Sequence, residues 1–213
     1  MTSRPVPTWA YHITRIEHLP SMIVEGLCSD SEASVRGLTK VSIAYDHIKA
    51  RRARRRVGAG PQGTLADYVP FYLAPRSPML YAIHSGNVSA EAADCTRIVY
   101  LCTTSQHLRD QGRTVVTTDR HAASALAEFT TDDQVFASSV DWQVMAAKYW
   151  KDTADDPDRS DRRQAELLVH HRVPWDNILV IATANEPVHT EVRTVLGKFG
   201  ITTKVVVRPN WYF

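Results

Sequence analysis

Asp158-Arg159-Ser160-Asp161-Arg162-Arg163-Gln164-Ala165-Glu166-Leu167-Leu168-Val169 passes within a few residues from dense charge to an apolar run. The apolar part, residues 165–173, predicts a core strand, and Glu166 stands at its charged edge. A carboxylate at the edge of a core element is held more rigidly than one on a loop, and it still reaches a cleft. That suits an acid steadying a sugar hydroxyl or a developing cation. Read blandly, the same window is a solvated charge cap on an ordinary strand.

Working outward, residues 9–14, 97–102, 114–118, 178–182 and 203–207 predict further strands. Residues 68–73 alternate aromatic and apolar side chains, but Pro70 restricts them to an edge strand or a bulge. Helices are predicted over 18–25, stopped by Gly26, and over 46–57, 106–111, 121–129, 142–151 and 186–199. Residues 79–83 fit a strand or a short helix, while 58–63 and 152–161 read as loops. Strands mixed with helices in this order predict an α+β fold with a split, mostly antiparallel sheet and flanking helices.

The chain has 213 residues, which predicts one domain over 1–213. Its hydrophobic content of 44% and charged content of 23% are those of an ordinary globular protein. No apolar run reaches the ~20 residues of a membrane span. The opening Met1-Thr2-Ser3-Arg4-Pro5-Val6-Pro7 has no apolar signal core, so a cytoplasmic location is expected. Cys28, Cys95 and Cys102 are odd in number and form no Cys-x-x-Cys pair, which argues against a disulfide framework or a zinc site.

Charge is unevenly placed. Lys49, Arg51, Arg52, Arg54, Arg55 and Arg56 crowd together, as do Asp152, Asp155, Asp156, Asp158 and Asp161. A basic run is either a solvated helix face or a polyanion contact, and the excess of arginine tilts it toward phosphate. The chain has no His-Glu-x-x-His, no Gly-x-Ser-x-Gly, no Glu-x-Lys pair of the nuclease kind, and no glycine-rich nucleotide loop after a strand. His170 and His171, adjacent in a strand, are expected on opposite faces, where they cannot share a metal. What remains is Tyr11-His12-Ile13-Thr14 on the first strand, Arg51 in the basic helix, His121 at a helix start, and Glu166. Singly each has a bland reading: a satisfied structural histidine, one arginine of a solvated face, a helix cap.

Together they resemble a known family. The order is Tyr11-His12-Ile13-Thr14, then the arginine-rich helix, then Asp67-Tyr68-Val69-Pro70-Phe71-Tyr72 with Arg76-Ser77-Pro78-Met79-Leu80-Tyr81, then Arg163-Gln164-Ala165-Glu166-Leu167-Leu168-Val169. It closes on Pro209-Asn210-Trp211-Tyr212-Phe213, and over nearly the whole chain it resembles the DarT family of DNA ADP-ribosyltransferase toxins. His18 departs from the pattern, which has Asn before the helix leucine.

The resemblance implies the ADP-ribosyltransferase fold, of poly-ADP-ribose-polymerase-like architecture. It implies NAD⁺ as a substrate, no metal, single-stranded DNA as acceptor, and a DarG-like macrodomain antitoxin as partner. It gives Glu166 the ribose 2′-OH and Arg51 the pyrophosphate and the base proton, with His121 orienting Glu166. It puts His12, Thr14 and Tyr72 at the nicotinamide end. The loop 149–163 becomes the substrate-recognition loop, with Trp150, Arg159 and Arg162 turned to DNA, the aspartates turned outward, and Arg54 and Arg55 as further DNA contacts. Thymine is the expected base, with guanine as the alternative. From the residues alone, a toxin endoribonuclease using His121, Arg51 and Glu166 stays open, as does a non-catalytic single-strand-binding module.

Overall fold

A computed structural model describes residues 2–38, 46–86 and 95–213. In chain order the strands among them are β1 (Trp9–Arg15), β2 (Leu27–Cys28), β3 (Tyr68–Tyr72), β4 (Ile98–Thr104), β5 (Val115–His121), β6 (Phe129–Thr130), β7 (Ala165–His170), β8 (Arg172–Val173), β9 (Val180–Thr183) and β10 (Lys204–Val207). The helices are α1 (Leu19–Glu25), α2 (Asp30–Val35), α3 (Asp46–Arg54), α4 (Pro78–His84), α5 (Ser105–Asp110), α6 (Asp133–Ser139), α7 (Trp142–Ala146), α8 (Arg159–Arg162) and α9 (Glu186–Lys198). Eight strands form one sheet in the order β10-β9-β4-β1-β3-β7-β5-β6, with β9–β10 parallel and the other pairings antiparallel. This is the α+β class and mostly antiparallel sheet expected from the sequence. Strand β2 pairs with β8 in a separate ribbon. Gly26 leads into it at φ 76°, and a Cβ there would lie 2.7 Å from the Val173 carbonyl oxygen.

The split runs between β1 and β3. Strand β1 follows β4 from Trp9↔Thr104 to Arg15↔Ile98, and β3 follows β7 from Tyr68↔His170 to Tyr72↔Glu166. Between β1 and β3 the register is the single pair Tyr11↔Tyr72. Pro70 therefore sits in an interior strand, not at the expected edge. Having no N–H, it cannot complete ladders on both sides; β3 keeps its ladder with β7 and gives up most of the one with β1. The His12 ring bridges the gap, with Nδ1 donating to the Pro70 carbonyl at 2.8 Å.

Side chains alternate across the sheet. Val69, Phe71, Leu167 and Val169 point into the larger core, against Phe136, Trp142 and the Val188–Val192–Leu196 stripe of α9. That stripe has helical i, i+4 spacing, and Asn185 caps its start by accepting from the Val188 N–H at 3.0 Å. Each fully buried aliphatic side chain here contributes about 1.5–3 kcal/mol. Tyr68 and Leu168 point the other way, onto Val57, Leu65, Val116, Ala122 and Ala123. Glu166 shares that second face by the same alternation.

Several expected elements differ. Residues 79–83 lie in α4, and the helix expected over 142–151 stops at Ala146. The strand expected over 165–173 breaks at His171, which takes a left-handed φ of 58°. Its N–H donates to the Asp67 carbonyl and its carbonyl accepts from Ser29, both at 2.8 Å, so outside partners hold the reversal. The His170 and His171 rings consequently lie 3.7 Å apart, not on opposite faces. Among the described residues no helix is long and apolar enough to cross a membrane.

Candidate active site

Glu166 is 2% exposed. A buried carboxylate is costly unless its charge and its oxygens are all met. Arg52 on α3 donates from Nη1 at 3.0 Å to one carboxylate oxygen and 3.3 Å to the other, and the Ala122 N–H donates at 3.0 Å. The backbone below is fixed too, because Glu166 N–H donates to the Thr118 hydroxyl at 2.9 Å. The carboxylate is thus held in one orientation before any substrate arrives. The Nη2 of Arg52 is buried and has no partner among the described residues.

Arg51, to which the resemblance gives the pyrophosphate and the base proton, donates its Nη2 to the Ala123 carbonyl at 2.8 Å. One residue is ~100° of helix rotation, so only one of two neighbouring arginines can face the carboxylate. Composition could not tell which; a helical-wheel phase needs the neighbouring chain. Arg55, one turn beyond Arg51, donates to the Ala127 carbonyl at 3.2 Å and lies over the Phe129 ring. Arg54 is exposed and forms no ion pair among the described residues. These contacts explain why residues 121–129 are not the expected helix. Glu166 takes the Ala122 N–H, and Arg51 and Arg55 take the Ala123 and Ala127 carbonyls, so this backbone is satisfied from outside.

His121 closes β5 opposite Ala165 instead of opening a helix. The hydrogen bond from this segment to Glu166 comes from the next residue's backbone, not from the imidazole. Burial lowers the His121 pKa from its ordinary value, against the pull of the Glu166 charge and with the push of Arg52. The unfolded imidazole titrates near ~6.5. A lowered folded value means that His121 contributes stability fully above that pH, and that the contribution is lost as pH falls through the folded value. His170 is shifted the same way by burial. The expected result is a wild-type urea midpoint that drops on mild acidification, and a His121→Asn variant that drops less. Equal slopes would remove this assignment.

Tyr72 faces Glu166 across the β3–β7 ladder. Burial, then the Glu166 charge, pushes its phenol well above the ordinary range, while Arg52 and a Ser77 hydrogen bond act against the rise. Thr14 is buried on β1, and its hydroxyl meets His18 Nδ1 at 3.1 Å. The site therefore gathers Glu166, Arg52, His121 and Tyr72 on one face of the sheet, while the side chains of His12 and Thr14 take the other face, the His12 ring against Phe71.

Arg163 was read in the sequence as part of the charged flank, yet it is 4% exposed. Its Nη1 donates to the carbonyls of Val144 (2.7 Å), Met145 (2.6 Å) and Ala147 (3.1 Å), and its Nη2 to that of Pro75 (2.8 Å). A guanidinium thus caps the C-terminal end of α7 and ties it to the turn after β3. Burial brings its pKa down to about 10. Its place three residues before Glu166, at the seam of charge and core, was the one available signal. Arg163→Met leaves buried carbonyls without donors, so unfolding free energy should fall by about 3 kcal/mol or more in denaturant titration. A loss under about 1 kcal/mol would mean that the clamp is dispensable.

The loop before α8 corrects another expectation. Asp152 and Asp155 are exposed, but Asp156, Asp158 and Asp161 turn to arginines and not outward. Arg162 is held by Asp141, Asp156 and Asp158 together, and Arg159 by Asp156 at 3.4 Å and the Tyr149 carbonyl at 3.1 Å. Arg120 joins from β5, paired with Asp119 at 2.9 Å and Asp158 at 3.2 Å. The dense opposite charges of 152–163 fold onto each other. Trp150 lies edge-on to Tyr81, with ring centroids 6.1 Å apart. Among the described residues no cluster of three or more His, Cys, Asp or Glu side chains could hold a metal ion.

Over residues 11–213 the chain matches the family described as "DarT: ssDNA thymidine ADP-ribosyltransferase, DarT". It is 38% identical over 212 residues to a protein of Thermus sp. (strain 2.9) named DNA ADP-ribosyl transferase, covering 98% of each chain. The solved structure of Thermus sp. 2.9 DarT in complex with ADP-ribosylated ssDNA is similar at TM-score 0.92 and 35% identity, covering 100% of this chain and 99% of that one. The Thermus sp. 2.9 DarT in complex with NAD⁺ is similar at TM-score 0.88 and 33% identity, covering 99% of this chain and 100% of that one.

Proposed function

The chain belongs to the DarT family, and from that premise we propose that it is a mono-ADP-ribosyltransferase, one domain over 1–213, acting from NAD⁺ onto a thymine of single-stranded DNA. The observation that carries the reading is the buried Glu166–Arg52 pair with an Arg52 Nη2 left over. What distinguishes this donor is its place on the guanidinium that already holds the Glu166 carboxylate, where a substrate group can take it. The family's thymidine specificity favours thymine over the guanine alternative.

In the reaction the bond between nicotinamide nitrogen and ribose breaks, and nicotinamide leaves with the bonding pair. A thymine ring nitrogen supplies the pair for the new bond and gives up its proton to solvent water. Positive charge builds on the ribose during the break, as in glycoside cleavage. Glu166, already fixed, accepts from the ribose 2′-OH and stabilises that charge. Arg52 orients Glu166 through Nη1 and turns Nη2 to the reacting groups, where a cation favours the deprotonated base. His12 and Thr14, largely through their backbone groups, and Tyr72 form the nicotinamide side, at and beside the β1–β3 split. Arg51 supports the wall made by Ala123. Arg54 and Trp150 meet the DNA strand. A single strand is the fitting acceptor, since extracting a base from a duplex costs a few kcal/mol.

A cytoplasmic toxin with a DarG-like macrodomain antitoxin completes the proposal; buried thiols at Cys28, Cys95 and Cys102 suit a reducing compartment. Incubation with NAD⁺ and a thymine-containing single strand tests it. Nicotinamide release with a DNA mass gain of one ADP-ribose unit is expected. RNA cleavage without NAD⁺ would replace this reading with an endoribonuclease, and salt-sensitive binding with no turnover would replace it with a binding module.

A further inference from the structure

Arg76 takes a left-handed φ of 56° in the turn between β3 and α4. A residue with a Cβ resists that conformation, so it persists only where its surroundings hold it. Just before it, the Pro75 carbonyl accepts from Arg163 at 2.8 Å. Just after it, Ser77 caps α4 by accepting from the Leu80 N–H at 3.2 Å, and its hydroxyl hydrogen-bonds the Tyr72 phenol. The conformation at Arg76 therefore decides where Ser77 stands, and with it the phenol.

What holds Arg76 comes from far along the chain. Its N–H donates to the Tyr100 hydroxyl at 3.1 Å, and that hydroxyl donates to the Trp211 carbonyl at 2.9 Å. Its Nη1 donates to the Tyr212 carbonyl at 2.8 Å, and its guanidinium lies 4.2 Å from the Phe213 ring centroid. Residues 211–213 are anchored in turn. Tyr212 is buried, and its hydroxyl reaches the Ile98 carbonyl on β4 at 2.9 Å and the Ala182 carbonyl on β9 at 3.1 Å. Trp211 stands edge-on to Tyr11, with ring centroids 5.2 Å apart, and Tyr11 is the β1 residue opposite Tyr72. The same three residues thus brace both sides of the β1–β3 split. They reach β1 through Tyr11, and β3 through Tyr100, Arg76 and Ser77. Tyr100 is wholly buried, so it can act on a substrate only through other residues.

We propose that Tyr100 and residues 211–213 are positioning residues for the nicotinamide end of the donor: they hold the Arg76 turn, and the turn sets the Tyr72 phenol beside Glu166. Glu166 does not depend on them, since Arg52 and the Ala122 N–H fix it. The inference rests on the transferase reading and assigns the support of its donor site.

The test is the affinity of the full chain for NAD⁺ and for ADP-ribose, which lacks the nicotinamide, each titrated without DNA. Tyr100→Phe removes one hydroxyl and keeps the ring. It should weaken NAD⁺ binding roughly tenfold, the size of one misplaced aromatic contact, and leave ADP-ribose affinity at the wild-type value. A merely structural role would move both ligands together. On a Tyr72→Ala background, Tyr100→Phe should weaken NAD⁺ no further, because a residue that acts through Tyr72 then has nothing to place. Arg76→Ala and Arg76→Gly lose the same guanidinium, but only alanine resists φ 56°, so alanine should weaken NAD⁺ more. Four outcomes would each overturn the assignment: unchanged NAD⁺ affinity in Tyr100→Phe, equal losses of NAD⁺ and ADP-ribose, full additivity with Tyr72→Ala, or glycine as damaging as alanine at position 76. Nicotinamide release by wild type with NAD⁺ and a single strand separates the two readings. If it occurs while Tyr100→Phe binds NAD⁺ like wild type, only the positioning falls; if it is absent while the variants bind as expected, only the transferase falls.

Discussion

Glu166→Gln should lower ADP-ribose transfer by ~10² or more, because one preorganised electrostatic stabiliser is worth that much in a transition state. Glutamine can still accept from the Ala122 N–H, so the variant separates charge from hydrogen bonding. NAD⁺ affinity should fall far less, since the charge on the ribose develops only as the bond breaks. Glu166→Ala should cost more, because it also strands Arg52 in a buried place. The measurement is initial transfer rate on a thymine-containing strand at saturating NAD⁺, with NAD⁺ binding measured separately. Turnover near wild type in the glutamine variant would remove Glu166 from the mechanism.

The second large effect belongs to Arg52. Arg52→Ala takes away the cation that meets both oxygens of Glu166 and the donor left over for the substrate. Transfer should fall by ~10² or more. Arg52→Lys keeps a charge but not the planar fork, so it should recover only part of the loss. Arg51→Ala removes one hydrogen bond to the Ala123 carbonyl and should cost distinctly less. Equal losses at the two positions would mean that α3 acts as a general basic face. A larger loss at Arg51 would restore the assignment that the family resemblance suggested.

The particulars show what a sequence can carry. Glu166 was legible because charge gives way to core at one residue, and a strand edge is a local property. The α9 stripe was legible for the same reason: Val188, Val192 and Leu196 repeat at helical spacing whatever surrounds them. Pro70 misled because an edge position is the common home of a strand proline, and its true place depends on β1 departing from β3. Residues 121–129 misled because their propensity is helical, while their hydrogen-bond partners are Glu166 and two arginines distant in sequence. Arg163 and Arg162 look alike as letters. One is buried on carbonyls and the other sits among carboxylates, a difference made wholly by the fold.

The register of β7 has a consequence for how such chains can change length. β7 is paired on both flanks, to β3 and to β5, and its side chains alternate from one face to the other. Deleting or inserting one residue between the Arg163 anchor and Glu166 shifts the parity of the strand. It would present Ala165 or Leu167 where the acid must stand and turn the carboxylate into the larger core. Ahead of Arg163, in the stretch from Lys151 to Pro157, the backbone runs outside any strand or helix and can absorb gained or lost residues. Arg163 thus divides a part of the chain whose length is fixed by strand parity from one whose length is not.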